Sequence, residues 1–187
     1  MSYKKAKFVI SNTEVSARPK DGRGHLLLLG RSNVGKSTLI NALCGQKIAF
    51  SSKKAGKTKL LNYFLIEDKF YLVDAPGYGS TDFATKDTIQ FSSMVEEYVK
   101  CPELKAIALL LDLRLGLSEE DKRFISYLSK VGRPLAIILT KTDKMNQSQK
   151  AKAKASLNAI GIEQYLSSDL SGAASSKICD LFMRLAK

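Results

Sequence analysis

Long apolar runs without polar interruption are the dominant pattern along the chain. A strand that is covered on both faces reads as a continuous apolar run, which is typical of parallel sheets sandwiched between helices. The runs therefore predict the central strands of an α/β fold. They are HLLLLG at 25–30, AIALLLDL at 106–113 and PLAIILTK at 134–141.

Stretches with helical spacing separate these runs. KSTLINALC at 36–44 follows the first run, KDTIQFSSMVEEYVKC at 86–101 repeats apolar residues on one face, and SEEDKRFISYLSKVG at 118–132 opens with Ser118 as a helix cap. Strands that alternate with helices predict a doubly wound, three-layer fold with helices on both faces of the sheet.

Two further apolar runs lie back to back at 60–68 and 69–76, with charged residues where they meet. This pattern predicts a hairpin, and therefore one antiparallel edge strand on an otherwise mostly parallel sheet. Near the end of the chain, EQYLSSD at 163–169 predicts a last strand and SSKICDLFMRLAK at 175–187 a closing helix.

A length of 187 residues fits a single domain, here taken as 1–187. Residues 1–24 form an N-terminal extension that could contain a short strand. Residues 45–59 have neither a helical nor a strand period, and a loop of that length in a compact domain is usually functional or mobile. We therefore expect a moving loop at 45–59.

The charge balance is unusual, because 30 Lys and Arg against 18 Asp and Glu give a net charge of +12. Such a charge favours a polyanionic partner, with nucleic acid or the ribosome ahead of an anionic membrane surface. The sequence shows no apolar leader and no run long enough to cross a bilayer, so we expect a cytoplasmic protein without a membrane partner. The cysteines predict reduced, mostly buried thiols, since they are odd in number and far apart. They are Cys44, Cys101 and Cys179.

The segment between the first run and the first helical stretch fits the phosphate-binding pattern G-x-x-x-x-G-K-[ST]. Its glycines let successive N–H groups point inward, and the helix N-terminus adds partial positive charge. Lys36 would then bridge the β- and γ-phosphates, and the Ser37 hydroxyl would bind Mg²⁺. A Gly-rich turn that matches by chance is the alternative. The positions are Gly30, Arg31, Ser32, Asn33, Val34, Gly35, Lys36 and Ser37.

A second motif, D-x-x-G, ends the predicted strand KFYLVD. Its Asp74 could hold Mg²⁺ through a water, and the N–H of Gly77 could meet the γ-phosphate. Thr58 is the one threonine in the 45–59 loop, and its hydroxyl could complete the Mg²⁺ shell only when a γ-phosphate is present. That dependence would make the loop a nucleotide switch. The motif consists of Asp74, Ala75, Pro76 and Gly77.

A third motif, T-K-x-D, ends the strand PLAIILTK, and such sheets bind ligands beyond the carboxyl ends of their strands. Asp143 can accept hydrogen bonds from both N1–H and the exocyclic amine of guanine, a pair that adenine lacks, while the stem of Lys141 lies along the base. Two charge-assisted hydrogen bonds raise the affinity for guanine over that for adenine by on the order of a hundredfold or more. The motif consists of Thr140, Lys141, Thr142 and Asp143.

A fourth segment follows the last predicted strand, where a tight turn could present backbone N–H to the guanine O6. A serine turn that caps the next helix explains the same residues nearly as well. They are Leu166, Ser167 and Ser168.

The order of these motifs is similar to that of a translational GTPase-class G domain. GRSNVGKSTLINAL, GKTKLLNYF, DAPGYG, LDLRLG and TKTDK together resemble, more narrowly, the EngB (YihA/YsxC) family of bacterial ribosome-biogenesis GTPases. The likeness extends from AKFVIS almost to the C-terminus. It implies a single G domain, the GTP and GDP of a GTPase cycle, association with the large ribosomal subunit and its rRNA during assembly, and a need for the protein in cell division and septation.

The resemblance also implies roles for individual residues. Ser37, Thr58 and Asp74 would bind Mg²⁺, residues 74–86 would form switch II, and Lys36, Thr58 and Gly77 would be catalytic. Two positions depart from the family, since it often has Arg where Lys57 stands and its last guanine turn usually continues differently from SSDLSGAAS. The switch I residues would be Gly56, Lys57, Thr58, Lys59 and Leu60.

The residue after D-x-x-G is Tyr78, where Ras-like enzymes have the glutamine that orients the attacking water. We therefore expect slow intrinsic hydrolysis, on the order of 10⁻⁴ to 10⁻² s⁻¹. Asn33 matches a P-loop asparagine that helps related GTPases coordinate K⁺, and the alternative is that it caps the first helix. We expect Arg31 to face solvent or a partner, and His25 to be structural.

Lysines cluster in two segments, which usually indicates a solvated face. The first cluster lies in the predicted switch loop, so affinity for rRNA could depend on the bound nucleotide. The sequence leaves open a regulatory GTPase acting as a monomer, a P-loop kinase or ATPase, and a nucleotide-gated RNA-binding module that barely hydrolyses. The lysines are Lys47, Lys53, Lys54, Lys57 and Lys59, followed by Lys150, Lys152 and Lys154.

Overall fold

The structure is a computed structural model that describes residues 2–49, 60–79, 85–169 and 171–187, with only the backbone described at 85–90 and 115. Its strands are β1 (Ala6–Asn12), β2 (Gly24–Gly30), β3 (Leu61–Ile66), β4 (Phe70–Asp74), β5 (Leu104–Leu111), β6 (Leu135–Thr140) and β7 (Leu166–Ser168). They form one sheet in the order β1-β3-β4-β2-β5-β6-β7.

The sheet is parallel from β4 through β2, β5 and β6 to β7, while β3 runs antiparallel to both of its neighbours. The prediction of a mostly parallel sheet with an antiparallel edge is therefore confirmed. β1 lies outside β3 and forms the margin of the sheet.

The predicted hairpin joins β3 to β4 through a two-residue turn. Glu67 and Asp68 have φ values of 51° and 55°, and the amide of Lys69 donates to the carbonyl of Ile66 over 2.9 Å. Two central residues with positive φ match the twist of the flanking strands, which makes this the tight turn expected between antiparallel neighbours.

Five helices are seen in the described residues: α1 (Lys36–Cys44), α2 (Thr85–Tyr98), α3 (Glu119–Ser129), α4 (Gln147–Asn158) and α5 (Gly172–Leu185). Apolar residues of α1 and α5 pack in one buried cluster, and those of α2, α3 and α4 pack in the other. The sheet separates these clusters, so the predicted three-layer arrangement with helices on both faces is confirmed.

β2 is the central strand of this arrangement, and it is buried along its whole length. Leu27 and Leu29 belong to the α2-side cluster, while Leu26 and Leu28 belong to the α1-side cluster. Two covered faces explain the uninterrupted apolar run in the sequence. The segment that leaves β2 at Gly30 therefore starts from the rigid centre of the molecule.

Helix α4 has no counterpart among the sequence-based predictions, which interpreted its lysines as a charged surface run. The helix buries only Ala153 and Leu157, so its apolar stripe is narrow. Its start did carry a signal, because the side chains of Asn146 and Gln149 cap each other's backbone amides over 2.9 Å. This reciprocal capping box is recognisable from residue types alone.

The remaining buried groups agree with the sequence-based interpretation. Cys44, Cys101 and Cys179 are free thiols and buried. His25 is fully buried, its Nδ1 lies 2.7 Å from the hydroxyl oxygen of Tyr98, and burial lowers its pKa to about 4. A neutral imidazole in this setting supports a structural role. Among the helices described, none is both long and apolar enough to span a bilayer.

Candidate nucleotide-binding site

The segment from Gly30 to Ser37 connects β2 to α1, as the phosphate-binding motif requires. Gly35 stands at the N-cap of α1 with a φ of 112°, a conformation that residues with a side chain rarely adopt. The ammonium of Lys36 donates to the carbonyl of Gly30 over 3.3 Å, which folds the lysine back over the loop. Burial lowers the pKa of Lys36, and the nearby Asp74 opposes this effect.

Asp74 is the last residue of β4 and is buried beside the loop, since β4 pairs with β2 so that Asp74 lies opposite Leu28. Burial raises its pKa to about 6, although the ammonium of Lys36 acts in the other direction. Its Oδ1 accepts no hydrogen bond from the described part of the chain. A buried carboxylate oxygen without a partner is costly unless a ligand or cation satisfies it.

These donors fit a magnesium ion bound together with a nucleotide. Mg²⁺ is usually held by one or two carboxylates, phosphate oxygens and several waters rather than by a full protein cage. Asp74 offers the carboxylate oxygen, and Ser37 offers a hydroxyl in the first turn of α1. The described residues contain no cluster of three or more carboxylate, thiol or imidazole ligands that would indicate another kind of metal site.

The residues after Asp74 lie against the phosphate-binding loop through their backbone. A side chain at Gly77 would come within 2.7 Å of Cα and N of Ser32, so only glycine fits this contact. The amide of Ser32 donates to the carbonyl of Tyr78 over 2.8 Å. The amide of Tyr78 in turn donates to the carbonyl of Gly30 over 3.3 Å. The loop and the D-x-x-G segment therefore cannot shift independently without breaking these bonds. Within the D-x-x-G segment, Ala75 is buried and Pro76 is half-buried.

The side chain of Arg31 is 40% exposed, which agrees with the expected solvent-facing position, but its guanidinium is also bonded within the protein. Its guanidinium donates to the hydroxyl of Ser118 over 3.1 Å and to the carbonyl of Gly79 over 3.4 Å. It also forms ion pairs with Asp121 at 3.8 Å and Glu120 at 3.9 Å. The sequence could not predict these contacts, because the start of α3, distant in sequence, brings two carboxylates to this side of the loop.

Tyr78 is held by the same helix. Its hydroxyl donates to Oδ1 of Asp121 over 3.0 Å, and Asp121 is itself buried within the capping box that starts α3 at Ser118. Burial and the carboxylate both raise the pKa of Tyr78. The position where a water-orienting glutamine stands in Ras-like enzymes is thus occupied by a fixed phenol.

The T-K-x-D motif follows β6 and is bonded directly to the phosphate-binding loop. The hydroxyl of Thr140 donates to the carbonyl of Val34 over 2.7 Å. The ammonium of Lys141 donates to the carbonyl of Asn33 over 2.8 Å. Thr142 is buried, whereas Asp143 is exposed. The structure therefore brings the first two residues of the motif to the loop and leaves the carboxylate of Asp143 open to solvent.

Asp112, just after β5, is a part of this arrangement that motif reasoning missed. Its carboxylate pairs with Lys141 at 2.9 Å and accepts two hydrogen bonds from Arg114, each of 2.9 Å. Burial acts to raise its pKa, but the bonds from Arg114 and Lys141 hold it at about 2. The segment LDLRLG carries these residues, and its Asp-x-Arg spacing was the available signal.

The last segment forms β7, where Ser168 is buried and pairs in register with Thr140. The proposed serine cap lies elsewhere, because the hydroxyl of Ser171 accepts from the amide of Ala174 at the start of α5. Leu166, Ser167 and Ser168 remain candidates for the guanine side of the site by their place at this edge of the sheet.

Two other sequence-based predictions meet the structure at the loop. Asn33 does not cap α1, since Gly35 occupies the N-cap; Asn33 is exposed with a φ of 61°. Of the predicted switch I residues, Leu60 is half-buried directly before β3. The others, Gly56, Lys57, Thr58 and Lys59, lie outside the described residues.

Comparison with known proteins agrees with this geometry. Residues 25–141 match the family model described as 50S ribosome-binding GTPase. The chain is 41% identical over 174 residues to the probable GTP-binding protein EngB of Solibacter usitatus, covering 92% of this chain and 91% of that protein. It is 38% identical over 187 residues to EngB of Chlorobaculum parvum, covering 96% of each.

The chain belongs to the EngB family. Membership makes it a GTP-binding protein and a GTPase of the P-loop class. Among solved structures, an EngB crystal structure superposes with a TM-score of 0.61 at 19% identity, covering 87% of this chain and 98% of that one. Era in complex with MgGDPNP and a 16S rRNA fragment gives 0.64 at 21% identity, covering 88% of this chain and 57% of Era. These likenesses confirm the fold of the EngB-family chain.

Proposed function

We propose that this protein is a slow, Mg²⁺-dependent GTPase that acts as a nucleotide switch in assembly of the large ribosomal subunit, and that normal cell division and septation depend on it. The observation that carries the nucleotide part is the bond from Lys141 to the loop carbonyl of Asn33. It joins a phosphate-binding loop to a guanine-binding motif, so that one nucleotide can contact both.

In this proposal the loop from Gly30 to Ser37 holds the phosphates and the T-K-x-D motif reads the base. The ammonium of Lys36 stabilises charge on the transferred phosphoryl group, and the N–H of Gly77 senses the γ-phosphate. Mg²⁺, when bound, neutralises phosphate charge. Ser37, Asp74 and Thr58 would hold the Mg²⁺ ion. A K⁺ ion could bind near Asn33. The buried Oδ1 of Asp74, which has no hydrogen-bond partner among the described residues, supports the metal assignment.

We also propose that the chain works as one G domain and as a monomer in the cytoplasm, where ribosomes are assembled. Residues 45–59 would be switch I and 74–86 switch II, with 1–24 as an N-terminal extension. The described part of that extension includes β1, which pairs with β3 directly after the proposed switch I.

The ribosomal part rests on charge and on the matched family. The model that matches residues 25–141 is described as a 50S ribosome-binding GTPase. The net charge of +12 favours a polyanion, and the lysines of α4 are exposed. Exposed lysines on one helix also suit an ordinary solvated surface, so a direct binding measurement is needed to test the partner.

That measurement is co-sedimentation with purified large ribosomal subunits in the presence of GDP or a non-hydrolysable GTP analogue. We expect stronger binding with the analogue, decreasing steeply between 50 and 200 mM salt, as phosphate contacts require. Binding that is indifferent to the nucleotide would contradict the switch, and absence of binding would contradict the ribosomal role.

A second candidate function is a nucleotide-gated rRNA-binding module with negligible hydrolysis. The observation that favours it is the phenol of Tyr78, which is fixed on Asp121 where an orienting amide is expected. Single-turnover hydrolysis with and without large subunits separates the two functions. Acceleration by the subunits supports the GTPase switch, and no turnover under either condition supports the gated module.

A further inference from the structure

A groove of about 420 Å³ lies between α2 and α3, next to the segment that follows Asp74. Its floor is apolar and is formed by Phe91, Val95 and Phe124. Tyr127 stands at its mouth with 36% of its surface exposed, and among the described aromatic residues only Phe8 of β1, at 49%, is also exposed to this degree. Exposed aromatic residues beside an apolar pocket are frequent anchors of protein interfaces.

Four aromatic rings connect the mouth of the groove to the nucleotide site. The rings of Tyr127 and Phe124 stack with centroids 6.4 Å apart and planes within 17°. The ring centroid of Phe124 lies 4.8 Å from that of Tyr78, and the ring of Phe91 contacts both, with centroid distances of 5.7 Å to Tyr78 and 5.8 Å to Phe124. Since Tyr78 is bonded through its backbone to the phosphate-binding loop, a group that binds against Phe124 is one ring away from that loop.

The charge of the groove is opposite to that of the protein as a whole. Its lining includes the carboxylates of Glu96, Glu119 and Glu120 and a single guanidinium, that of Arg123. Lys122 pairs with Glu119 at 2.6 Å, and Arg31 is shared between Glu120 at 3.9 Å and the adjoining Asp121 at 3.8 Å. Four carboxylates, with Asp121 included, against the cations Arg31, Lys122 and Arg123 leave this surface slightly acidic in a chain of net charge +12. Such a surface repels nucleic-acid phosphates and attracts a basic group.

We propose that the groove between α2 and α3 docks a basic protein segment of the large ribosomal subunit, one that inserts an apolar side chain beside Phe124 and places a Lys or Arg against Glu96 and Glu119. That the segment belongs to the large ribosomal subunit rests on the function proposed above. That it is basic and carries an apolar side chain follows from the charge and the apolar lining of the groove. The lysine-rich surfaces would contact rRNA, and the groove would contact protein. Occupation would act on Tyr78, and so on the loop that holds the phosphates.

Charge reversal in the groove tests the chemistry of the partner by the direction of its effect. Glu96 and Glu119 are both exposed, so E96K/E119K should fold. A matched control, E14K/E163K, makes the same charge change at exposed positions outside the groove lining. Affinity for purified large subunits is measured with the GTP analogue at fixed salt, and basal GTP hydrolysis verifies that each variant is intact.

We expect E96K/E119K to bind large subunits on the order of tenfold more weakly than the wild type, because two attractive pairs become repulsive. The control should bind equally well or more tightly, because added positive charge favours rRNA. Equal or tighter binding by E96K/E119K would overturn the proposal, since it would mean that the groove faces solvent or RNA. If the wild type itself failed to bind, the proposed function would fall, and this proposal with it.

A photo-crosslinker placed at Tyr127 gives a second readout. The substituted protein is bound to large subunits, irradiated, and digested with ribonuclease or protease. We expect an adduct with a ribosomal protein that survives ribonuclease, and a lower yield in the E96K/E119K background. An adduct with rRNA, or none from a complex that still sediments, would contradict a protein partner in this groove.

Discussion

The ammonium group of Lys141 lies 2.8 Å from the carbonyl oxygen of Asn33, although the two residues are 108 positions apart in the chain. Asp112 accepts a second bond from the same ammonium at 2.9 Å. The two contacts fix the lysine between the ends of β5 and β6 and the loop after β2. The relative position of the base motif and the phosphate loop is therefore set before a nucleotide arrives, which lowers the entropy lost on binding.

Removing the Lys141 ammonium should weaken binding of GTP and GDP alike. In Lys141→Met the apolar stem is kept, but the carbonyl of Asn33 loses its donor and Asp112 keeps only Arg114. The bond exists before the nucleotide binds, so its loss acts on affinity through lost preorganisation, and we expect affinity to fall by on the order of tenfold, about 1.4 kcal/mol. Titration with a fluorescent GDP analogue measures it. Lys144→Met, three residues later and exposed, is the control, and equal losses in both variants would argue against the bridge.

The phenol of Tyr78 should stabilise the protein without taking part in hydrolysis. Tyr78→Phe removes the donor to the buried Asp121, so we expect the free energy of unfolding to fall by about 1–3 kcal/mol. A hydroxyl fixed on Asp121 does not orient the attacking water, so single-turnover hydrolysis should stay within about twofold. Tyr127→Phe serves as the control for stability. A tenfold slower turnover in Tyr78→Phe would show that the hydroxyl acts on the reaction.

Asp74 should make the nucleotide-free protein less stable at neutral pH than it would be with a neutral side chain. Burial raises its folded pKa from the usual 3.8 of an aspartate to about 6, so its ionisation opposes folding above pH 6 and no longer does so below about pH 4. Asp74→Asn should therefore raise the free energy of unfolding at pH 8 by up to about 3 kcal/mol, at about 1.4 kcal/mol per pKa unit.

Urea unfolding of wild type and Asp74→Asn between pH 4 and pH 8, without nucleotide, measures this difference. The gain should shrink as the pH falls through 6. The exposed Asp180→Asn controls for the loss of one negative charge. A variant less stable than the wild type at pH 8 would mean that the ionised carboxylate stabilises the fold, contrary to its burial.

Asn33 gives a prediction about monovalent cations. Its side chain accepts and donates no hydrogen bond among the described residues, and its φ of 61° is tolerated by Gly. Asn33→Gly therefore removes the amide with little backbone strain. If the amide helps to hold K⁺, wild-type hydrolysis should be several-fold faster in KCl than in NaCl, and the variant should lose that difference. Equal wild-type rates of hydrolysis in both salts would show that K⁺ takes no part in the reaction.

Much of the fold could be predicted because burial on two faces leaves a direct trace in the sequence. β2, β5 and β6 are uninterrupted apolar runs, and the hairpin at Glu67 and Asp68 separates two more. Helix α4 escaped prediction because it buries only two side chains, so its period was hidden by lysines.

The site motifs could be found because they are local, whereas the contacts between them could not. The contacts of Arg31 with α3 and of Lys141 with Asp112 join segments that only the sheet order brings together. Tyr78 could be recognised as an unusual residue for its position, but its bond to Asp121 depends on where α3 starts. Sequence spacing carries no information on such pairs until the fold is known.

In the proposed function, Asp143 and the loop around Lys36 hold opposite ends of one guanine nucleotide. Asp143→Asn replaces an acceptor pair with an amide that offers one acceptor and one donor, which suits xanthine, where a carbonyl replaces the exocyclic amine. The most direct test is calorimetric titration of wild type and Asp143→Asn with GDP and XDP. We expect the variant to lose on the order of a hundredfold in GDP affinity and to gain XDP binding. Unchanged GDP affinity in the variant would contradict it.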